Sequence, residues 1–317
     1  MAITLNQLSG FLAVAETGSV SGAAEKLVVT QPSVSASLLA LSRELGVELT
    51  ERAGRGIRLT PAGQAFEPYA RDVLGLLAQG AQTAREAADP SLRQLRIAAV
   101  TTAGEYIVPP LLRAFSAVNP DIALTLEVGN RRRVFQRVLD READVAIGGR
   151  PPADGRLTGY PFLENEVVLI AAPDDPLVRR RTVPVDELAP RTWLLREEDS
   201  GTRMLVEDYL AHHDLQPRTV TLGSNGAIKQ AVRAGLGVSM QSRVAVELEL
   251  ESGVVGTIHV QGGLPELRWY VLHSATGPVR PPAEALIAFV RTAAAGAVVE
   301  DAQRALRGTA DAASPSG

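Results

Sequence analysis

Five polar side chains crowd one short stretch of the chain: Thr30, Gln31, Ser33, Ser35 and Ser37, with a proline at position 32. Thr30 is a good helix N-cap, and Pro32 fits a first turn, where a missing N–H costs nothing. A helix opening there carries its hydroxyls and one carboxamide on its early turns. Gln31 can pair with an adenine edge through two hydrogen bonds, worth roughly 1–3 kcal/mol of discrimination, and the serines can donate to bases or phosphates. Thr30 serves equally as a plain cap or as a phosphate contact. Arg43, Arg52, Arg55 and Arg58 follow within 16 residues, interleaved with Glu44, Glu48 and Glu51. They read either as phosphate contacts or as a solvated charged surface. Arg52 and Arg55 are the candidates for contact, Arg55 foremost because glycines flank it at the tip of a hairpin that could enter a minor groove.

A second set of polar groups stands where apolar runs give way to helical patterns. Thr101-Thr102, Ser200-Gly201-Thr202 and Ser224-Asn225 each fall at such a junction, and Gly148-Gly149-Arg150 follows another apolar run. Hydroxyls and amides beside free helix N–H groups suit a carboxylate or a phosphate. Simple helix capping would use the same residue types. Thr101, Thr102, Gly149, Ser200, Thr202, Ser224 and Asn225 are therefore the candidate residues for a small anionic ligand. No Gly-x-Ser-x-Gly elbow, His-Glu-x-x-His pair or phosphate loop ending in Gly-Lys-Ser/Thr occurs, so no enzyme is expected. His212-His213 lie on a polar helical stretch and read as solvated rather than as metal ligands. Gly235-Leu236-Gly237 precedes a strand, the wrong context for a dinucleotide fingerprint. Neither a metal nor a cofactor is expected.

The elements that must hold these groups follow from periodicity. Thr4 with Gln7 forms a capping-box pattern ahead of Leu5, Leu8, Leu12 and Ala15, and Gly18 stops that helix. Ser19 caps a second helix to about Leu27, Val28-Val29 turns the chain, and the third helix runs through Val34, Leu38, Leu41 and Leu45 to Gly46. Two short helices across a tight turn make a helix-turn-helix, and Gly54-Arg55-Gly56 before Ile57-Arg58-Leu59 reads as a β-hairpin wing. Thr60-Pro61 then opens a helix of about 27 residues, a rod of about 40 Å. Its stripe of Phe66, Ala70, Val73, Leu77, Gly80, Ala84 and Ala87 steps by four and three, which favours self-pairing into a dimer over packing on a core of its own. From Gln94 onward, short apolar strands alternate with helices. Strands are predicted at Leu95–Val100, Ile122–Val128, Asp144–Ile147, Val167–Ala171, Trp193–Leu195, Val220–Leu222, Val238–Met240, Val255–Val260 and Trp269–Leu272. Helices are predicted at Tyr106–Val118, Arg132–Arg141, Arg203–His212 and Ala227–Ala234. Such alternation predicts open α/β sheets of mainly parallel strands.

Bulk properties bound the reading. The 317 residues suit two or three domains, and 45% hydrophobic with 21% charged residues is ordinary globular composition. The absence of cysteine removes disulfides, thiolate metal sites and thiol chemistry at once. No signal sequence or membrane-length apolar run is visible, so a soluble, cytoplasmic chain with no membrane partner is expected. Net charge is −4, and residues 1–90 hold seven basic against nine acidic side chains, so any nucleic-acid contact must rest on local geometry.

With these pieces in order, the chain resembles a LysR-type transcriptional regulator. The resemblance is carried by Phe11-Leu12-Ala13-Val14-Ala15, Gly18-Ser19, Ala23-Ala24, Thr30-Gln31-Pro32-Ser33-Val34-Ser35, Leu45-Gly46-Val47, Glu51-Arg52 and Leu59-Thr60-Pro61-Ala62-Gly63. Ala143-Asp144-Val145-Ala146-Ile147 and Val232-Arg233-Ala234-Gly235-Leu236-Gly237-Val238 fit the family's effector domain. It implies an α+β multidomain chain: a winged helix-turn-helix over residues 1–60, a dimerising linker helix and hinge over 61–90, and a two-lobed α/β domain like a periplasmic binding protein over 91–300. Lobe I would take about 91–162 and 268–300, lobe II about 163–267, with crossings near Pro161–Asn165 and Gly262–Leu267, and 301–317 would be a flexible tail. The implied partners are double-stranded promoter DNA with an inverted repeat, a small-molecule effector between the lobes, RNA polymerase, and a second or fourth copy of the chain. Ala36 and Ser37 stand where the family often has basic or long amide side chains, and Thr50 where it usually has phenylalanine. These departures reduce phosphate contacts and loosen the wing. The stretch from Gly223 to Val232 is similar to regulators of carbon-fixation and sulfur-assimilation genes. The rival reading is a cytoplasmic small-molecule-binding protein without DNA-binding activity.

Overall fold

The computed structural model describes residues 3–54, 56–292 and 296; Arg55 and the tail expected over 301–317 lie outside the described residues. The described chain divides into two compact units, residues 1–88 with 140–142, and the remainder.

In the first unit, helices α1 (Leu5–Thr17), α2 (Val20–Leu27) and α3 (Gln31–Leu45) form where the caps predict them. Thr4 and Gln7 complete the capping box, Ser19 and Thr30 cap the next two helices, and Gly18 and Gly46 end α1 and α3 in the left-handed conformation. Val28, which ends α2, also takes a positive φ of 56°, unfavourable for a β-branched residue, and stays 91% exposed. Strands β1 (Thr50–Ala53) and β2 (Gly56–Leu59) pair antiparallel as the wing, with Glu51 opposite Arg58 and their side chains 2.7 Å apart. Helix α4 (Pro61–Ala88) follows.

The stripe on α4 divides. Phe66 and Ala70 pack into the core of α1–α3, with the Phe11 and Phe66 rings 5.6 Å apart, so the unit does supply a core for the first turns. Tyr69, Val73 and Leu77 are exposed, as are Gly80, Ala84 and Ala87.

The second unit begins with β3 (Gln94–Val100), α5 (Thr101–Tyr106), α6 (Val108–Val118), β4 (Ala123–Gly129), α7 (Arg131–Leu139), β5 (Val145–Gly148) and β6 (Leu157–Asn165). It continues through β7 (Val167–Ala171), β8 (Trp193–Leu195), α8 (Gly201–His212), β9 (Thr219–Thr221), α9 (Asn225–Arg233), β10 (Ser239–Ser242), α10 (Arg243–Glu251) and β11 (Gly256–Ile258). The last elements are β12 (Leu267–Ser274) and α11 (Pro281–Val290). One sheet has strand order β4-β3-β5-β12-β6 and is packed around Leu95, Ile97, Phe115, Val145, Trp269 and Leu286. A second lobe holds β10-β7-β11 and β8-β9, joined by a bridge between Trp193 and Val238, around Leu169, Trp193, Tyr209 and Met240. The chain leaves the first sheet between Asn165 and Val167, and Leu267, the return point, pairs with Asn165.

Three expectations need correction. The sheets are not mainly parallel: the five-stranded one is mixed, because β12 runs antiparallel to β5 and β6, and in the three-stranded one β7 runs antiparallel to both β10 and β11. The chain passes to the second lobe after β6 and returns through β12, which lies beside β6 and runs back against it. Strand β6 escapes the periodicity because it carries Gly159 and Pro161; it lies at a sheet edge, where a residue without an N–H is tolerated. The helix expected over Tyr106–Val118 is two, broken at Ile107, and α5 starts at Thr101, so Thr101 and Thr102 form its first turn.

Candidate functional site

Helix α3 presents its opening outward. Thr30 Oγ1 accepts from the Ser33 N–H at 3.4 Å and lies 2.8 Å from Ser33 Oγ, so the cap holds the turn. Gln31, Ser33 and Ser35 are exposed, while Val34, Leu38 and Leu41 on the opposite face are buried. Ser37 is only half-exposed, its Cβ set toward Gly10 of α1, because it sits at the edge of the buried face. Arg52 is exposed on the wing with no ion pair among the described residues. Arg58 is engaged with Glu51.

In the second unit a cavity of about 260 Å³ is lined by residues of both lobes. From just beyond the strand ends of the first lobe come Thr101, Thr102, Asn130, Arg131, Gly149 and Arg150; from the second lobe Arg196, Ser200, Gly201, Thr202 and Ser242; Trp269 and Leu267 line it as well. Three helices start at this lining without a side-chain cap: α5 after Val100, α8 after Ser200, and α10 after Ser242. Ser200 is 5% exposed and its hydroxyl makes no hydrogen bond among the described residues. The first backbone N–H groups of α8 have no intrahelical partner, so its positive end faces the cavity.

Arg131 supplies the charge. Its guanidinium stacks 4.3 Å from the centre of the Phe135 ring, donates to the Arg150 carbonyl at 2.9 Å, and meets no carboxylate among the described residues. Burial alone pushes its pKa below the ordinary arginine value. Its stem runs past Gly201, where a Cβ would come within 3.7 Å of the Arg131 Cδ, so the side chain spans from one lobe to the other. Arg196 differs, because Glu197 neutralises it through two hydrogen bonds of 2.7 and 2.9 Å. Asp208 is the one carboxylate in this lining, against Arg131, Arg150 and Arg196.

Of the seven residues expected around a ligand, Thr101, Thr102, Gly149, Ser200 and Thr202 line this cavity, and Ser224 and Asn225 do not. Ser224 is spent as the cap of α9, accepting from the Ala227 N–H at 3.1 Å. Asn225 is buried behind Thr102, to which its amide donates at 3.2 Å. Sequence reasoning missed Arg131 and Arg196. Both stand at the end of a strand run, Arg131 opening the triplet Arg131-Arg132-Arg133, and cationic residues at such strand ends carried the signal.

Residues 5–64 match the bacterial regulatory helix-turn-helix proteins of the lysR family, and residues 88–295 match the LysR substrate binding domain. The transcriptional activator CmpR of Synechocystis sp. is 36% identical over 271 residues, which cover 85% of this chain and 89% of that protein. The regulatory domain of Synechocystis CcmR, solved in complex with 2-PG, superposes with a TM-score of 0.59 and 32% identity over 62% of this chain and 95% of that one. Full-length OxyR C199D from Pseudomonas aeruginosa superposes with a TM-score of 0.66 and 25% identity over 94% of this chain and 97% of that one. The chain belongs to the LysR family of transcriptional regulators. It is accordingly a DNA-binding regulator switched by a small metabolite.

Proposed function

We propose that the interlobe cavity takes a small anionic effector, held by Arg131, the opening of α8 with Ser200 and Thr202, and the hydroxyl of Thr102, while Thr101 shapes the lining and donates its own hydroxyl hydrogen to the Gly129 carbonyl at 3.3 Å. The observation that carries this reading is a half-buried guanidinium that no carboxylate neutralises among the described residues. A buried charge of this kind is stabilised by an opposite charge, and the ligand supplies it. The chain works by this reading as a regulator and not as an enzyme, in the cytoplasm.

On the DNA side, Gln31, Ser33 and Ser35 read bases, with Thr30, Ser37, Arg52 and Arg55 in supporting contacts. The exposed row of Tyr69, Val73 and Leu77 on α4 pairs two copies, and such a dimer matches an inverted repeat in promoter DNA. Pairs of dimers and contact with RNA polymerase extend the same scheme.

The test is calorimetric titration of the full chain with 2-PG, the ligand of the Synechocystis relative, and with inorganic phosphate. Arg131→Gln is expected to weaken both by at least about tenfold, since it removes a charge-assisted contact, while promoter affinity stays within about twofold. Binding left untouched by Arg131→Gln overturns the reading.

A further inference from the structure

We propose that Asn225 is a positioning residue that sets the hydrogen-bond polarity of the cavity, holding the Thr102 hydroxyl as a donor toward a ligand oxygen that carries no proton. The inference rests on the cavity being the effector site.

Its logic starts from a group that can only donate. The Arg196 guanidinium has no acceptor atom, so the Asn225 atom facing its Nη1 is the carbonyl Oδ1. Glu197 grips the same guanidinium from its Nε and Nη2 and fixes its plane. The Asn225 carboxamide therefore cannot turn over, and its Nδ2 must face Thr102 Oγ1, 3.2 Å away. That bond uses a lone pair of the threonine hydroxyl and leaves its one hydrogen unspent. No acceptor takes this hydrogen among the described residues. Thr102 lies in the cavity lining, itself 6% exposed, while Asn225 and Arg196 are 3% and 4% exposed. The hydrogen is thus turned to the cavity, where a ligand oxygen, in place of water, can accept it. Arg131, across the lining, is likewise donor-only. An oxyanion with no hydrogen of its own satisfies both groups, whereas a protonated oxygen placed at Thr102 brings a hydrogen for which these two donors offer no acceptor.

Sulfate and inorganic phosphate at pH 7.5 separate these cases, because they have similar size and charge but phosphate keeps an O–H. Asn225→Asp reverses the chain of bonds: one carboxylate oxygen still accepts from Arg196, the other now accepts the Thr102 hydrogen, and the lone pairs of Thr102 face the cavity. The added negative charge weakens both anions alike, so the ratio of their affinities carries the answer. The expected result, by calorimetry on the full chain, is a fall of about tenfold in sulfate relative to phosphate affinity. An unchanged ratio in a variant with the parent's melting curve overturns the proposal. Should Asn225→Asp not fold, a double-mutant cycle of Thr102→Val and Asn225→Ala replaces it. Effects of the two on sulfate affinity that fail to add support action through Thr102, and additive effects overturn it. Sulfate binding that Arg131→Gln leaves unaltered overturns the cavity reading and this proposal with it, whereas the ratio and the cycle test the proposal alone.

Discussion

The openings of α3 and α8 put the same residue types to opposite uses. At α3 the cap hydroxyl of Thr30 is bound to the N–H of Ser33, and what remains available is a row of side chains, Gln31, Ser33 and Ser35. At α8 the cap position is Ser200, whose hydroxyl leaves the helix end uncapped, and what remains available is backbone N–H. A closed helix end offers side chains, which can distinguish one base from another. An open end offers a fixed patch of positive potential, which recognises charge and is indifferent to the rest of the ligand. The first suits reading a sequence, the second anchoring a small anion.

Closing the open end breaks the contrast most forcefully. Ser200→Asp places a capping carboxylate on α8, and anion affinity is expected to fall by about a hundredfold through repulsion and loss of the N–H groups. Thermal unfolding of the same variant is expected to gain about 1 kcal/mol from the new cap, so a loss of both affinity and stability would count against an open helix end. At the closed end, Gln31→Ala is expected to cost roughly 1–3 kcal/mol of discrimination at one base per half-site. Binding curves on a panel of point-mutated sites check this, and unaltered preference at every base refutes it. The smallest effect is sought at the turn leading into α3, where Val28→Gly relieves a left-handed backbone. It is expected to stabilise the chain by about 1 kcal/mol in denaturant unfolding, the gain being offset in part by the greater freedom of glycine when unfolded.

How much of this was legible in the sequence follows from how local each feature is. The caps at Thr4, Ser19 and Thr30 and the left-handed Gly18 and Gly46 are written in single residues, and they stand where expected. The exposure of Gln31, Ser33 and Ser35 follows from the three-to-four spacing of Val34, Leu38 and Leu41. The cavity is a different matter, because its lining comes from segments as distant as Thr101 and Trp269. Residues at helix starts could be picked out, yet whether a serine caps or faces a ligand depends on its surroundings: Ser224 caps and Ser200 does not. The place of Asn225 beside a helix start is visible in the sequence and suggests a ligand contact, while its burial behind Thr102 is a matter of packing. Strand direction is hidden for a similar reason, since it depends on a return across the lobes that apolar runs do not encode.

The pairing of β6 with β12 extends up to Asn165 and Leu267, where both cross to the second lobe. Two ropes tied side by side make a door rather than a ball joint. A rotation of one lobe against the other would turn most readily about the line of these two crossings, and the chemical identity of an effector would then be compressed into a single angle. Compounds of different shape that produce the same angle would then be heard as the same message.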